Sequence, residues 1–375
     1  MLLERVGRMR RKKKKIIKLF LLLILLILIG TIIYLIFFKT KEDIGSKKEY
    51  SDKSISVINQ NKLENIYKNK YSKTLDEILK NDLFRNEYLD EYQNIDYVDD
   101  TFLKNINKYL EKGYKADEVN NITKLSKKNQ EKLLDLEKTN FEKFIDIKNY
   151  DANKTDRYNA YMEKTNKDIN TAVTHVNIGL DKEFYEDTTK VENPDDVTAL
   201  INKYHYVDKD FVPKDLVVLF DSRQNAKMTR VAAEAYKEFI EGSKKDGLTL
   251  ESTTAYRSYN FQNALYTNYV RQDGVKKADT YSARPGTSEH QLGLAVDLND
   301  PNVSGARLNE KDGKWVRENA HKYGFILRYL EEFVPVTGYM YEPWHIRYLG
   351  KDLATKVYES GLTYDEYYDL YLTEY

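Results

Sequence analysis

The sequence predicts an α+β domain with a mainly antiparallel sheet flanked by helices, preceded by a transmembrane helix and a small helical region. Three observations predict it. Residues 19–38 hold no charged side chain, apolar residues over 73–148 recur at helical spacing, and beyond about residue 170 short strand-like runs alternate with helical ones. Turn chemistry follows the same division. All six prolines (194, 213, 285, 301, 335 and 343) and eleven of sixteen glycines, from Gly242 to Gly361, lie in the second half.

The first element, residues 1–18, carries nine Lys or Arg against Glu4 alone. Such a basic flank is read as cytoplasmic, which places everything after about Lys39 outside the cell membrane. Residues 19–38 form the second element. Twenty helical residues at about 1.5 Å each span about 30 Å, the hydrocarbon thickness of a bilayer. A cleaved signal peptide has an apolar core of only about 7–15 residues ending at small side chains. Here Phe37-Phe38-Lys39-Thr40-Lys41 follows, so the span is read as a retained single-pass anchor.

The remainder holds 51 basic and 59 acidic residues. It therefore lacks the broad positive face that nucleic-acid binding demands. There is no cysteine. Disulfides are excluded, and any metal must be held by His, Asp or Glu.

Residues 39–72 are polar, without a sustained apolar period, and read as a tether. Residues 73–170 read as a helical extracytoplasmic region, with apolar stripes at Leu75, Ile78, Leu79 and Leu83, then Phe102, Leu103, Ile106, Tyr109 and Leu110. Asp100 is the expected N-cap of the second stripe and Gly113 its stop. Residues 171–375 form the α+β domain. Strands are expected at 173–178, 216–220 (buried), 249–256, 293–298, 325–328 and 345–348. Helices are expected at 226–243, 261–271, 315–323, 351–359 and 364–372.

Chemistry concentrates between His290 and His345. Ser288-Glu289-His290-Gln291-Leu292-Gly293-Leu294-Ala295-Val296-Asp297 is followed 48 residues after Asp297 by His345, which closes Glu342-Pro343-Trp344-His345. Two neutral imidazoles and a carboxylate hold Zn²⁺ and leave a fourth position for water. Glu342, three residues before the last ligand, is placed to take that water's proton. For His290 and Asp297 to converge, the chain must bend before the strand, and Gly293 eases such a bend.

These motifs resemble the zinc D-alanyl-D-alanine carboxypeptidases of the VanY type, whose pattern is Ser-x-His-x-x-Gly-x-Ala-x-Asp followed by Glu-x-Trp-His. Tyr256-Arg257-Ser258, Gln262, the run from Ala283 to Gln291, Tyr323-Gly324-Phe325-Ile326-Leu327-Arg328-Tyr329, Tyr348-Leu349-Gly350, Leu200-Ile201-Asn202-Lys203-Tyr204 and Asp210-Phe211-Val212-Pro213 are similar too. The likeness spans about 173–375.

The resemblance implies zinc ligands at His290, Asp297 and His345, and Glu342 as general base on zinc-bound water. It also implies Arg257 on the substrate's terminal carboxylate or the developing oxyanion, with Ser288 and Gln262 holding the peptide. An Arg fork matched to a carboxylate is how an exopeptidase requires a free C-terminus. Thr287, where relatives often have His, is a mild departure. Trp344 is read as a packing wall, and His175, His205 and His321 as structural. Arg284 either touches substrate or braces its loop, and Arg257 has a competing reading as a structural ion-pair partner.

The implied activity is a membrane-anchored D,D-carboxypeptidase acting on peptidoglycan stem peptides. The same resemblance covers an L,D-carboxypeptidase trimming tetrapeptide to tripeptide. A non-catalytic wall-binding module is disfavoured, because it has no use for Glu342.

Overall fold

The computed structural model describes residues 15, 17–35, 47, 49–222, 225–303 and 308–373, and the chain divides into two compact units, Met1–Ile145 and Asp146–Tyr375. Most of the basic segment 1–18, residues 36–38 of the expected span and residues 39–46 of the expected tether lie outside the described residues. Ile17–Leu35 is one helix, α1, long and apolar enough to cross a membrane, and its large apolar side chains are exposed.

Helices α2 (Asp52–Gln60), α3 (Lys73–Lys80), α4 (Leu89–Asn94), α5 (Asp100–Glu111), α6 (Ala116–Ile122) and α7 (Lys127–Asp135) build the rest of the first unit. The expected stripes supply its core, with Leu75, Ile78, Leu79, Phe102, Leu103, Ile106, Tyr109 and Leu110 all buried and Leu83 half-buried. The cap of α5 is Asp99, whose side chain accepts from the Phe102 amide at 2.8 Å, and Asp100 is already helical.

The tether reading of 39–72 is corrected over its described part. Ser51 caps α2, Ser54 Oγ bonds Asp76 Oδ1 at 2.6 Å, and the Tyr50 ring packs edge-on against Tyr67 and Tyr71. Three tyrosines and isolated isoleucines do the work of an apolar stripe there, so no helical period is visible in the sequence.

In the second unit come helices α8 (Thr155–Thr165) and α9 (Ile169–Asn177), strands β1 (Thr189–Lys190), β2 (His205–Tyr206), β3 (Leu216–Val218) and β4 (Lys227–Thr229), and helix α10 (Arg230–Lys245). Strand β5 (Glu251–Thr254), helices α11 (Tyr259–Asp273) and α12 (Val275–Ala278), strand β6 (Ala295–Asn299) and helix α13 (Glu310–Asn319) follow. Strand β7 (Phe325–Leu327), helix α14 (Val334–Thr337), strand β8 (His345–Tyr348) and helices α15 (Lys351–Ser360) and α16 (Tyr364–Leu372) close the unit.

Two expected elements change character. The run 173–178 is helical in α9, because Asp168 accepts from the Asn170 and Thr171 amides and so fixes a helix start that outweighs the β-branched residues behind it. The run 216–220 pairs only over β3 and is half-exposed, its partner β4 taking the start of the stretch expected to be helical. Helices α8 and α9 also pack within the second unit, where His175 Nε2 lies 3.1 Å from Glu366 Oε1 on α16.

The central sheet has strand order β5-β6-β8-β7, antiparallel throughout. Alternation gives it two unlike faces. Val296, Leu298, Phe325, Leu327, Ile346 and Tyr348 join the main core, into which α10 inserts Ala232, Ala235, Tyr236, Phe239 and Ile240. Asp297, His345, Arg347 and, just past β7, Arg328 belong to the opposite face. Phe239 is fully buried among Trp315, Tyr323 and Phe325, with ring centroids at 5.5, 5.8 and 6.0 Å. Phe239→Ala is expected to destabilise the second unit by about 3–5 kcal/mol, read by urea denaturation, since it empties the centre of this cluster.

Candidate active site

The sheet register brings two of the expected ligands together. Asp297 on β6 lies directly opposite His345 on β8, and such partners leave the sheet on one face with Cβ atoms about 4.5–5.5 Å apart. His290 arrives from a single turn, Glu289–Leu292, that ends at Gly293. Gly293 has φ +66°, and a Cβ there would lie 2.8 Å from Leu216 Cδ2, so the expected bend depends on this glycine. A register shift between Ser252 and Thr254 interrupts the β5–β6 pairing, and just beyond it the Ala255 carbonyl meets His290.

His290 Nε2 lies 3.4 Å from Asp297 Oδ1, and His345 Nδ1 lies 3.2 Å from the same oxygen. The three residues offer donor atoms within 4.8 Å of one another. Four ligand atoms about 2.0–2.1 Å from an ion stand about 3.3 Å apart, so two edges of the set already have the length zinc requires.

Every outward polar atom of the set is engaged. His290 Nδ1 donates to Ala255 O at 2.7 Å, Asp297 Oδ2 accepts from Arg257 Nη2 at 2.6 Å, and His345 Nε2 meets Glu289 Oε2 at 3.0 Å. Since a carbonyl only accepts, His290 donates from Nδ1, which leaves Nε2 as the nitrogen that faces Asp297.

Burial, aided by the Arg257 charge, lowers His290 to about 4. Burial alone would raise Asp297, but His290 and Arg257 outweigh it and hold the carboxyl well below its usual range. For His345 burial lowers the basicity, and the carboxylates of Asp297 and Glu289 reverse this and raise it to about 9.

Glu342 is buried in the loop before β8, where its amide bonds Tyr329 O at 3.0 Å and its carbonyl accepts from the His345 amide at 3.1 Å. That turn brings Glu342 to the cavity that His290, Asp297 and His345 line, a space of about 470 Å³. Arg257, Gln262 and Ser288 line it as well. Arg257 is thus both an ion-pair partner of Asp297 and a wall residue. Gln262 is 2% exposed; its amide donates to Ala283 O at 2.8 Å, while its Oε1 accepts no hydrogen bond among the described residues. Phe261, Leu265, Tyr269, Met340 and Trp344 supply apolar wall.

Arg284 braces its loop. It pairs with both Asp279 oxygens at 3.1 and 2.8 Å and stacks on Tyr185 at 4.0 Å. His175, His205 and His321 bond or stack elsewhere, on Tyr161 and Glu366, on Asn202, and on Tyr358 respectively.

Two residues at the site had no expected role. Glu289 stands inside the motif, and its only sequence signal is a carboxylate beside His290 in a domain that carries Arg328 just past β7 and Arg347 on β8. Lys203 is the other. It is 2% exposed, sits over the Tyr339 ring at 3.9 Å, and donates to the Asp279 carbonyl, tying the 279–284 loop to the cavity wall.

The model of the VanY family, described as D-alanyl-D-alanine carboxypeptidase, matches residues 225–351, which hold every candidate ligand and cavity-lining residue named above. The Bacillus subtilis (strain 168) protein YodJ is 38% identical over 207 residues, 51% of this chain and 76% of YodJ. The chain belongs to the VanY family. Another relative of the VanY type, the bifunctional D-Ala-D-Ala dipeptidase and D-Ala-D-Ala carboxypeptidase VanXYC of Enterococcus gallinarum, is 30% identical over 45% of this chain and 92% of its own length. A solved D,D-pentapeptidase VanY from a VanB-type resistance cassette, in complex with Zn(II), is 30% identical, with TM-score 0.41, over 46% of this chain and 98% of that one. VanY carboxypeptidases are zinc-dependent, and two imidazoles with one carboxylate, leaving a fourth position, fit that ion.

Burial pushes Lys203 down to about 8 from 10.5. Between those values the unfolded chain holds a proton that the folded one has shed, so stability rises with pH over this window. Relative to Lys203→Met, the parent is expected to gain on the order of 3 kcal/mol from pH 8 to 10.5. Urea denaturation of both proteins across that range tests this, and parallel curves would contradict it.

Proposed function

We propose that this chain is a membrane-anchored zinc D,D-carboxypeptidase that removes the C-terminal D-alanine from peptidoglycan stem peptides. The observation that carries the reading is the convergence of His290, Asp297, His345, Glu342 and Arg257 on one cavity. Helix α1 would hold the chain at the membrane, with the basic segment 1–18 in the cytoplasm and the second unit facing the wall.

His290 Nε2, Asp297 Oδ1 and His345 Nδ1 would hold zinc, which when bound polarises the scissile carbonyl and makes water a nucleophile near neutral pH. Glu342 takes the proton of the attacking water and delivers it to the leaving amine nitrogen as the peptide bond breaks. A guanidinium has five N–H donors. Arg257 spends one on Asp297 and one on Thr254, and the others are available to the substrate's terminal carboxylate. That clamp favours a C-terminal trimmer over an enzyme that cuts inside a crosslink. Gln262 Oε1, without a hydrogen-bond partner among the described residues, suits a peptide N–H, and Ser288 lines the same cavity. The apolar side of the cavity suits a methyl side chain and keeps bulk water from the reacting bond.

The full-length chain in detergent, supplied with zinc, is expected to convert pentapeptide muropeptides to tetrapeptides, read by mass spectrometry. A chelator should abolish the conversion, and Glu342→Gln should lower kcat by about 10²–10⁴-fold. Conversion of tetrapeptide to tripeptide instead would assign an L,D-carboxypeptidase. If neither substrate loses a terminal D-alanine, the reading is wrong.

A further inference from the structure

Beneath the ligand set lies a chain of buried charges that the hydrolytic chemistry does not use directly. Glu289 is 2% exposed, and its Oε1 accepts from Arg328 Nε at 2.9 Å and from Arg347 Nη1 at 3.2 Å. Both arginines are themselves buried. Arg328 pairs onward with Asp365 on α16 at 2.7 Å, and Arg347 donates to the Val197 and Ala199 carbonyls at 2.8 and 2.9 Å. Asp365 in turn accepts from Asn202 Nδ2 at 2.7 Å. With one oxygen held twice, the carboxylate has no freedom to turn. Its other oxygen, Oε2, faces His345 Nε2 at 3.0 Å.

We propose that Glu289 is a positioning residue for the metal centre: braced by Arg328 and Arg347, it fixes the His345 proton on Nε2 and so presents Nδ1 to the ion. The inference rests on the reading that zinc sits among His290, Asp297 and His345. The physical reason is the one-sidedness of a carboxylate. Ionised, it only accepts, so the ring nitrogen facing it must donate, and once an ion displaces the proton that Nδ1 shares with Asp297 the lone pair on that nitrogen is the one left to the metal. A glutamine of the same shape presents an amide that also donates, which permits the opposite tautomer, with the proton on the nitrogen the metal needs. An acceptor behind a ligand imidazole also strengthens it as a donor to the metal. A counter-ion for the two arginines need not aim an oxygen at His345 at all.

The test uses the full-length chain in detergent with its five histidines labelled with ¹⁵N. Zinc chloride is added and the ring nitrogens are read by long-range ¹H–¹⁵N NMR. His345 is expected to bind through Nδ1 and to keep a slowly exchanging proton on Nε2; binding through Nε2 overturns the proposal. Glu289→Gln is then expected to weaken zinc binding by about 10–100-fold in competition with a fluorescent chelator and to speed exchange of the Nε2 proton. The His290 Nδ1 proton, held by Ala255, should not change. A Glu289→Gln protein that melts earlier yet binds zinc as tightly, with the His345 proton unaltered, makes Glu289 a counter-ion only and sinks the idea. The ring pattern of the parent needs no variant, so it decides the matter even where Glu289→Gln fails to fold. Neither readout involves a peptide, and failure of the carboxypeptidase reading would appear separately in the muropeptide digest.

Discussion

The pairing of β6 with β8 is the constraint on which the second unit depends. Because Asp297 stands opposite His345, two candidate ligands reach the same side of the sheet without any long side chain having to search for its partner. A slip of one strand by one residue would send Asp297 or His345 to the apolar face and bring Val296 or Ile346 to the site. The register is held by what it buries. Val296, Leu298 and Ile346 pack with Phe325, Leu327 and the α10 side chains, and that core cannot be kept in any other alignment. Hydrophobic burial on one face therefore maintains metal geometry on the other.

Much of this was legible in the sequence. The spacing of His290, Asp297, Glu342 and His345 named the site, and Gly293 announced the bend, because metal ligation and positive φ leave residue-specific marks. The strands at β6, β7 and β8 were visible as short apolar runs, and the stripes of α3 and α5 as helical periods. What escaped notice was decided by contacts between distant segments. Asp168 starting α9 overrode a β-branched run, and tyrosines around Tyr50 buried a segment that looked like a linker. Glu289 could be read only as a motif letter, since its meaning lies in Arg328 and Arg347, 39 and 58 residues away.

The polar face of the sheet shows how a domain without disulfides buries charge. Glu289, Arg328, Arg347 and Asp365 alternate in sign, and each shares its charge with a neighbour or with backbone carbonyls. Removing any one member would strand an uncompensated ion, a much larger cost than the whole set imposes when complete. Such an arrangement adds little net stability but admits one geometry, which is what a centre with fixed ligand distances requires.

The link from Arg328 to Asp365 has a consequence for the order in which the protein matures. Asp365 lies twenty residues beyond His345, the last ligand. During synthesis, the three candidate metal ligands therefore emerge before the second carboxylate that pairs with Arg328. The network behind His345 is therefore completed only when α16 brings Asp365 to Arg328 and Asn202, so its last counter-charge comes from the C-terminal end of the second unit.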